Sequence, residues 1–349
     1  MATVDSNQSG AVPVPLQKAT ANASHDRVLP WLLGAALVGV VLQITLGGVV
    51  RVTGSGLGCP DWPLCHGTIV PVFRDYHVAL EWSHRLTGSL LGITLVAAAA
   101  RIWLARRAEG RFPWLGLNRN RRVDLSRLSG FALALIAVVG GIGGLVVLRD
   151  LSPSLRTFHL ALAEGLALII LAGWTFSTKL RGVTASSSSA RGASGDVRSR
   201  LTRLAWVAAA VVLVTLLTGS YAVWRGAGAV CASWPLCGGA VFPESTLATI
   251  HVTHRLLAGL GSVFAIWVGY KVFRSAGATS ALRNAAVILV TLVVGQVLMG
   301  AANPWTDFDE WARALHLSLA TLVWLAASFV ALLLAREAPA ARAEQAEPR

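Results

Sequence analysis

The chain has 349 residues, of which 54% are hydrophobic and only 13% charged. That is too apolar and too sparsely charged for an ordinary soluble domain. The net charge of +13 does not mark a nucleic-acid partner, because the basic residues sit in short segments between apolar runs rather than in a basic domain.

Residues 1–28 are polar, with few basic residues, and are expected to be a disordered tail without the features of a secretory signal. The apolar runs that follow each fit a membrane-spanning helix in length. They predict an all-α integral membrane protein with helices over about Pro30–Val50, Val78–Leu104, Leu128–Leu148, Leu155–Phe176, Leu204–Val223, Leu247–Tyr270, Ala285–Ala302 and Ala314–Ala335. A Ser- and Arg-rich stretch, Thr184–Arg203, reads as a linker. The expected organisation is therefore a tail (1–28), a first four-helix bundle (29–180), a linker (181–203), a second bundle (204–336) and a second tail (337–349).

Loop charge sets the orientation. With the N-terminus in the cytoplasm, the cytoplasmic segments carry 21 Lys and Arg. The outer loops carry Arg51, Arg74, Arg149, Arg156, Arg225 and Arg313. The expectation is a bacterial cell-membrane protein with both termini inside.

The two halves are tandem copies. Gly54 to Cys65 (GSGLGCPDWPLC) answers to Gly226 to Cys237 (GAGAVCASWPLC), and Ser83-His84-Arg85-Leu86 answers to Thr253-His254-Arg255-Leu256. Each half has an even number of spans, so both insert the same way up, predicting a pseudo-two-fold axis along the membrane normal.

His84, His159, His254 and His316 each lie one to two turns into helices 2, 4, 6 and 8. All four helices run from outside to inside, so the imidazoles share one depth in the outer leaflet. Two imidazoles at one depth on neighbouring helices can ligate a flat macrocycle from opposite faces. The pairs are His84 with His159 and His254 with His316, giving two haem sites. The plainer alternative is interhelical hydrogen bonding. A zinc or copper site lacks further ligands within the helices. His251 lies one turn outward of His254 and reads as a plain interfacial histidine, the alternative being a contact with the same cofactor edge; His66 and His77 receive no assigned role.

Glu81 shares a helical face with His84, one turn nearer the outer surface. With His84 on iron its carboxylate would reach the macrocycle rim, where an acid suits proton abstraction or stabilisation of positive charge. It could instead pair with Arg85. Glu164 lies deeper than His159 and could relay protons or satisfy a polar contact. The second half has His251 and Thr321 where the first has these acids, which places chemistry in the first half. Arg85 and Arg255 could pair with haem propionates or snorkel to headgroups. The two cysteine pairs fall in outer loops, where local disulfides Cys59–Cys65 and Cys231–Cys237 are the simplest reading. A redox-cycling pair is the alternative.

These residues resemble the haem A synthase family. The resemblance spans roughly residues 29–336. It rests on Gln43-Ile44-Thr45-Leu46-Gly47-Gly48, the Gly54–Cys65 loop, Glu81 with His84-Arg85, His159-Leu160, His254-Arg255 and His316-Leu317. It implies an eight-helix membrane enzyme that oxidises the ring C8 methyl of haem O to the formyl of haem A for terminal oxidases. It further implies His84 and His159 as axial ligands of the substrate haem, His254 and His316 as those of a haem b, and Glu81 beside the substrate. In helix 3, Val139 stands where a glutamine matching Gln43 would be. Docking with a haem O synthase, self-association and the identity of the electron acceptor are left open.

Since imidazoles on both faces leave the iron no open position, the expected route removes electrons from the conjugated ring and a proton from the methyl. Water then adds, and a second round gives a geminal diol that collapses to the aldehyde. The formyl oxygen would come from water. Two other functions compete. A non-enzymatic di-haem b electron carrier predicts two unaltered haems. A transporter is weakened by the lack of proline deep inside any span.

Overall fold

The computed structural model describes residues 28–107, 119–178, 191–239 and 243–337. Eight α-helices make up the architecture: α1 (Val28–Val52), α2 (Tyr76–Arg107), α3 (Arg119–Leu148), α4 (Pro153–Ser177), α5 (Arg191–Trp224), α6 (Thr246–Phe273), α7 (Ser280–Trp305) and α8 (Glu310–Glu337). All eight are long and apolar enough to cross a membrane. The tails expected over 1–28 and 337–349 lie almost wholly outside the described residues.

Each predicted span is found, and several run further than the apolar windows. α3 and α5 begin at Arg119 and Arg191. Residues 191–203, read from sequence as linker, are therefore helical. Arginine is a good helix former, so a helix started in lipid continues into a basic flank. Hydropathy marks only where the lipid ends. The rest of the expected linker, residues 181–190, lies outside the described residues.

Helices α1 to α4 pack in a ring, each against the next and α4 back against α1. Helices α5 to α8 do the same. The rings meet through α1 against α8, α4 against α8 and α4 against α5. This is the neighbour pattern that two tandem bundles facing each other through their fourth helices would give. The buried core follows this seam. On α8, Trp324, Ala327, Val330, Ala331, Leu333 and Leu334 are all at most 4% exposed. Exposed apolar residues such as Ile93, Phe131, Val263 and Leu260 point outward from the bundle, as lipid-facing side chains must.

Polar residues on this seam find partners across it. Fully buried Glu164 on α4 accepts a hydrogen bond from Thr321 on α8 at 2.6 Å, and its backbone carbonyl accepts one from the Trp324 indole at 3.4 Å. Thr321 stands five residues after His316 as Glu164 stands five after His159, so the bond joins corresponding positions of the two halves. The Arg336 guanidinium donates to the carbonyls of Thr175 and Thr178 at 2.6 and 2.9 Å, satisfying groups at the end of α4.

Candidate haem-binding sites

The four histidines share one packing arrangement. Each imidazole on an even-numbered helix turns its Cε1 edge to a glycine on the helix before it. A Cβ built on Gly47 would lie 3.0 Å from His84 Cε1, and one on Gly143 would lie 3.1 Å from His159 Cε1. The corresponding distances are 2.6 Å from Gly219 to His254 and 3.3 Å from Gly300 to His316. A glycine here lets the backbone approach the ring edge so closely that any side chain would displace it. The sequence pairs the histidines by depth. The structure adds a matching glycine seat for every one of them.

At three of the four sites a side chain from the glycine's own helix contacts the ring, and at two of them it stands one turn before the glycine. The Gln43 amide contacts His84 Nδ1 at 3.2 Å and donates to the His84 carbonyl at 2.9 Å. Its oxygen accepts from Thr87 Oγ1. The Gln296 amide contacts His316 Nδ1 at 3.2 Å. His254 Nδ1 lies 3.3 Å from Thr218 Oγ1 instead. At His159 the equivalent place is Val139, and Nδ1 is buried without a hydrogen-bond partner among the described residues. Gln296 and Thr218 were not singled out from the sequence. The Gln-x-x-x-Gly spacing shared by Gln43–Gly47 and Gln296–Gly300 is the signal that could have found Gln296.

A cavity of about 560 Å³ opens between the helices of the second half, lined by His254, His316, Gln296 and Gly219, with Arg51, Arg255, Arg313 and His251 also on its wall. That size lies within the range of small-molecule and cofactor sites. Mostly apolar walls, two imidazoles and cations suit a flat amphipathic macrocycle with acidic substituents. In the first half, His84 and His159 lie within electrostatic reach of each other. Among the described residues no three His, Cys, Asp or Glu side chains converge on a point that could hold a bare metal ion. A pair of imidazoles seated for a metal that brings its own macrocycle fits this arrangement better.

Two disulfides, Cys59–Cys65 and Cys231–Cys237, close the α1–α2 and α5–α6 loops. Under each lies the arginine that follows a histidine. Arg85 donates to the carbonyls of Asp61 and Leu64, both at 2.6 Å, and of Cys59 at 2.7 Å. Arg255 donates to Ser233 at 2.6 Å, Cys231 at 2.9 Å and Leu236 at 3.3 Å, the corresponding carbonyls of the second loop. The sequence suggests haem propionates or headgroups as partners for these arginines. Their recorded hydrogen bonds go to the loops, with one more from Arg85 to Glu81.

Glu81 is buried at 4% exposure. Its Oε2 accepts the Cys59 N–H at 2.9 Å, and its Oε1 accepts Arg85 Nη2 at 2.6 Å. The pairing with Arg85, one of the two alternatives read from sequence, is therefore formed. It ties the carboxylate to the disulfide loop one turn outward of His84. His251 takes this place in the second half, buried, with Nδ1 unpartnered among the described residues. His66 and His77 serve the first loop: His66 Nε2 lies 2.9 Å from the Gly58 carbonyl, and His77 Nδ1 lies 2.9 Å from Ser55 Oγ.

Comparison with known proteins agrees with this geometry. A family model described as COX15-CtaA, cytochrome oxidase assembly protein, matches residues 30–328. A protein named Heme A synthase from Paramagnetospirillum magneticum is 30% identical, over 85% of this chain and 90% of its own length. Proteins of the same name from Methylorubrum extorquens and Lysinibacillus sphaericus are 28% and 26% identical, over 91% and 89% of this chain. With a family match over most of its length and relatives that align nearly end to end, the chain belongs to the haem A synthase family.

Proposed function

We propose that this protein is a haem A synthase, an oxidoreductase that converts a ring methyl of haem O into the formyl group of haem A. The observation that carries the reading is the repeated glycine-seated histidine pair, with a buried carboxylate beside only one of the two pairs. The names of the relatives support it and do not favour a simple electron carrier.

On this reading, residues 29–180 form the catalytic bundle, with His84 and His159 axial to the substrate haem. In residues 204–336, His254 and His316 would hold a haem b. When bound, the porphyrin supplies a conjugated ring that can release electrons and share charge with its methyl substituent. The chain supplies the rest. His84 and His159 would hold the substrate from the two helices that carry them, by position rather than through an open metal site. Glu81 presents a carboxylate already fixed by Arg85 and the Cys59 N–H. Each of its oxygens keeps a further lone pair, available to positive charge or a proton at the reacting substituent. Arg85 acts on the site by fixing Glu81 and the loop above it, and Arg255 fixes the second loop. Converting methyl to formyl with water as oxygen source releases protons and electrons in equal number. An electron acceptor is therefore required, and a haem held by His254 and His316 would supply one-electron chemistry. The loop-charge asymmetry supports a bacterial cell-membrane location with both termini cytoplasmic.

The test is to purify the protein, identify its extracted haems by mass, and supply isotopically labelled water. Haem O or haem A beside haem b, with label in the formyl group, is expected. Colourless protein from haem-replete cells would overturn the reading, and label arriving only from O₂ would overturn the water route.

A further inference from the structure

The end of the second-half cavity nearer the disulfide loops carries two cations with no acid paired to them among the described residues. Arg51 is in the last turn of α1, and Arg313 lies near the start of α8. Both line the cavity that contains His254 and His316. Their Nε atoms are buried without hydrogen-bond partners among the described residues. Arg313 Nη2 reaches only the Val52 carbonyl, at 3.4 Å. The Arg51 guanidinium lies 5.8 Å from the Trp224 ring centre. Among the described residues neither arginine is in an ion pair, and both line the same cavity.

Two like charges on an apolar cavity wall within the membrane are costly unless an anion joins them. The planar guanidinium fork matches a carboxylate with two parallel hydrogen bonds. Arg313 precedes His316 by three residues, about 4.5 Å of helix rise toward the outer surface. A macrocycle held at the level of the imidazoles would thus direct its acidic edge at this pair. We propose that Arg51 and Arg313 together bind the propionate carboxylates of the porphyrin in the second-half cavity, so that a residue of the first half completes the site of the second.

Arg51 is the one wall residue of this cavity drawn from the first four helices. The first half has no equivalent pair. Val223 stands on α5 where Arg51 stands on α1, and Arg156, the counterpart of Arg313, lies over the Trp224 ring at 3.9 Å. The second-half porphyrin is held by charge at its edge as a resident group. The first-half ring, which must come and go as substrate and product, lacks that hold.

This inference rests on the haem reading above, and the test separates the two. Full-length protein carrying His84→Ala and His159→Ala, which leaves only the second-half ligands, is loaded with iron protoporphyrin or with its dimethyl ester. The free acid should bind about tenfold or more tightly than the ester, the size expected when a hydrogen bond to a charged group is lost. Adding Arg51→Gln and Arg313→Gln should abolish this preference and lower the midpoint potential of the bound haem, because removing cations favours the oxidised form. Arg51→Lys should keep part of the preference, and Arg225→Gln in the exposed outer loop should keep all of it. Equal binding of acid and ester by protein with both arginines overturns the proposal without needing any arginine variant to fold. Loss of bound phospholipid from the arginine variants, with acid and ester still equal, would assign the pair to a lipid phosphate and also overturn it. Protein that binds neither compound overturns the haem reading itself.

Discussion

At the scale of single residues, the glycine seats make a graded prediction. The space for a methyl group opposite the Cε1 edge is smallest at Gly219 (2.6 Å), intermediate at Gly47 and Gly143 (3.0 and 3.1 Å) and largest at Gly300 (3.3 Å). Below about 3 Å something must move, and a ring pinned between helices has little freedom to do so. Gly219→Ala should therefore cost most of the second-half haem, whereas Gly300→Ala should retain most of it with a perturbed spectrum. Haem content per chain and low-spin electron paramagnetic resonance signals read this order; equal retention in all four alanine variants would contradict it. Glu81 makes a second prediction. Glutamine keeps the shape and can still accept the Cys59 N–H, but it loses the charge facing Arg85. Glu81→Gln should leave haem binding intact while the yield of haem A falls by about 100-fold or more, measured by chromatography of extracted haems. The histidines and Glu81 were legible in sequence because ionisable residues inside apolar runs stand out. Gln296 and the glycines were not. Glycine is common in transmembrane helices, and which one faces a histidine depends on the register between two helices, which no single helix carries.

At the scale of elements, the two disulfide loops are near copies that differ in how they respond to pH. In the first, both Asp61 carboxylate oxygens accept backbone N–H groups, from Gly67 and His66, each at 2.7 Å. The Gly67 N–H above all, with the His66 N–H and the charge of Arg85 behind it, holds the Asp61 carboxyl below its usual value of 3.8. A depressed acid stabilises the folded loop fully above that unperturbed value, and the contribution is lost as pH falls through the lowered folded value. In the second loop Ser233 takes the same place: its Oγ accepts the Gly238 N–H at 2.8 Å and donates to the Leu236 carbonyl at 2.7 Å. A neutral hydroxyl has no such titration. Hydrogen-exchange protection at His66 and Gly67 should therefore hold from neutral pH down to 3.8 and drop as pH falls further, while protection at Gly238 holds throughout. Parallel loss in both loops would show that acid acts elsewhere. The repeat itself was plain in sequence, since GSGLGCPDWPLC and GAGAVCASWPLC align without a gap. The clamping role of Arg85 and Arg255 was hidden, because an arginine beside a ligand histidine can reach a cofactor, a headgroup or a loop with the same side chain. The N-terminal extensions of α3 and α5 were hidden for a different reason. The apolar pattern stops where lipid stops, whereas backbone hydrogen bonding does not.

At the scale of the whole molecule, the two halves share a seam, and the seam has a polar centre. Glu164 Oε2 is buried with no partner among the described residues, so Thr321 Oγ1 is the one donor recorded to its carboxyl group. Deleting that donor alone would strand a buried acid at the contact of α4 with α8. Thr321→Val should then destabilise the protein by about 1–3 kcal/mol, the cost of leaving a buried polar group unmet. Replacing both partners by apolar residues of similar size removes the need for a bond and often restores or raises stability. The double variant Glu164→Leu/Thr321→Val should therefore unfold at or above the wild-type temperature in the same detergent, although each half gains nothing on its own. If the double variant is instead less stable than Thr321→Val, the carboxyl has a second partner that Thr321 does not supply. The outer part of the seam gives the same tie a functional consequence. Arg51 from α1 reaches the cavity between His254 and His316, so any loosening of α1 against α8 moves a cation on the wall of the second site. Thr321→Val should thus weaken second-half haem retention as well as lower the unfolding temperature, and the double variant should recover both together. Recovery of stability without recovery of haem would mean that the seam and the second site are energetically separate.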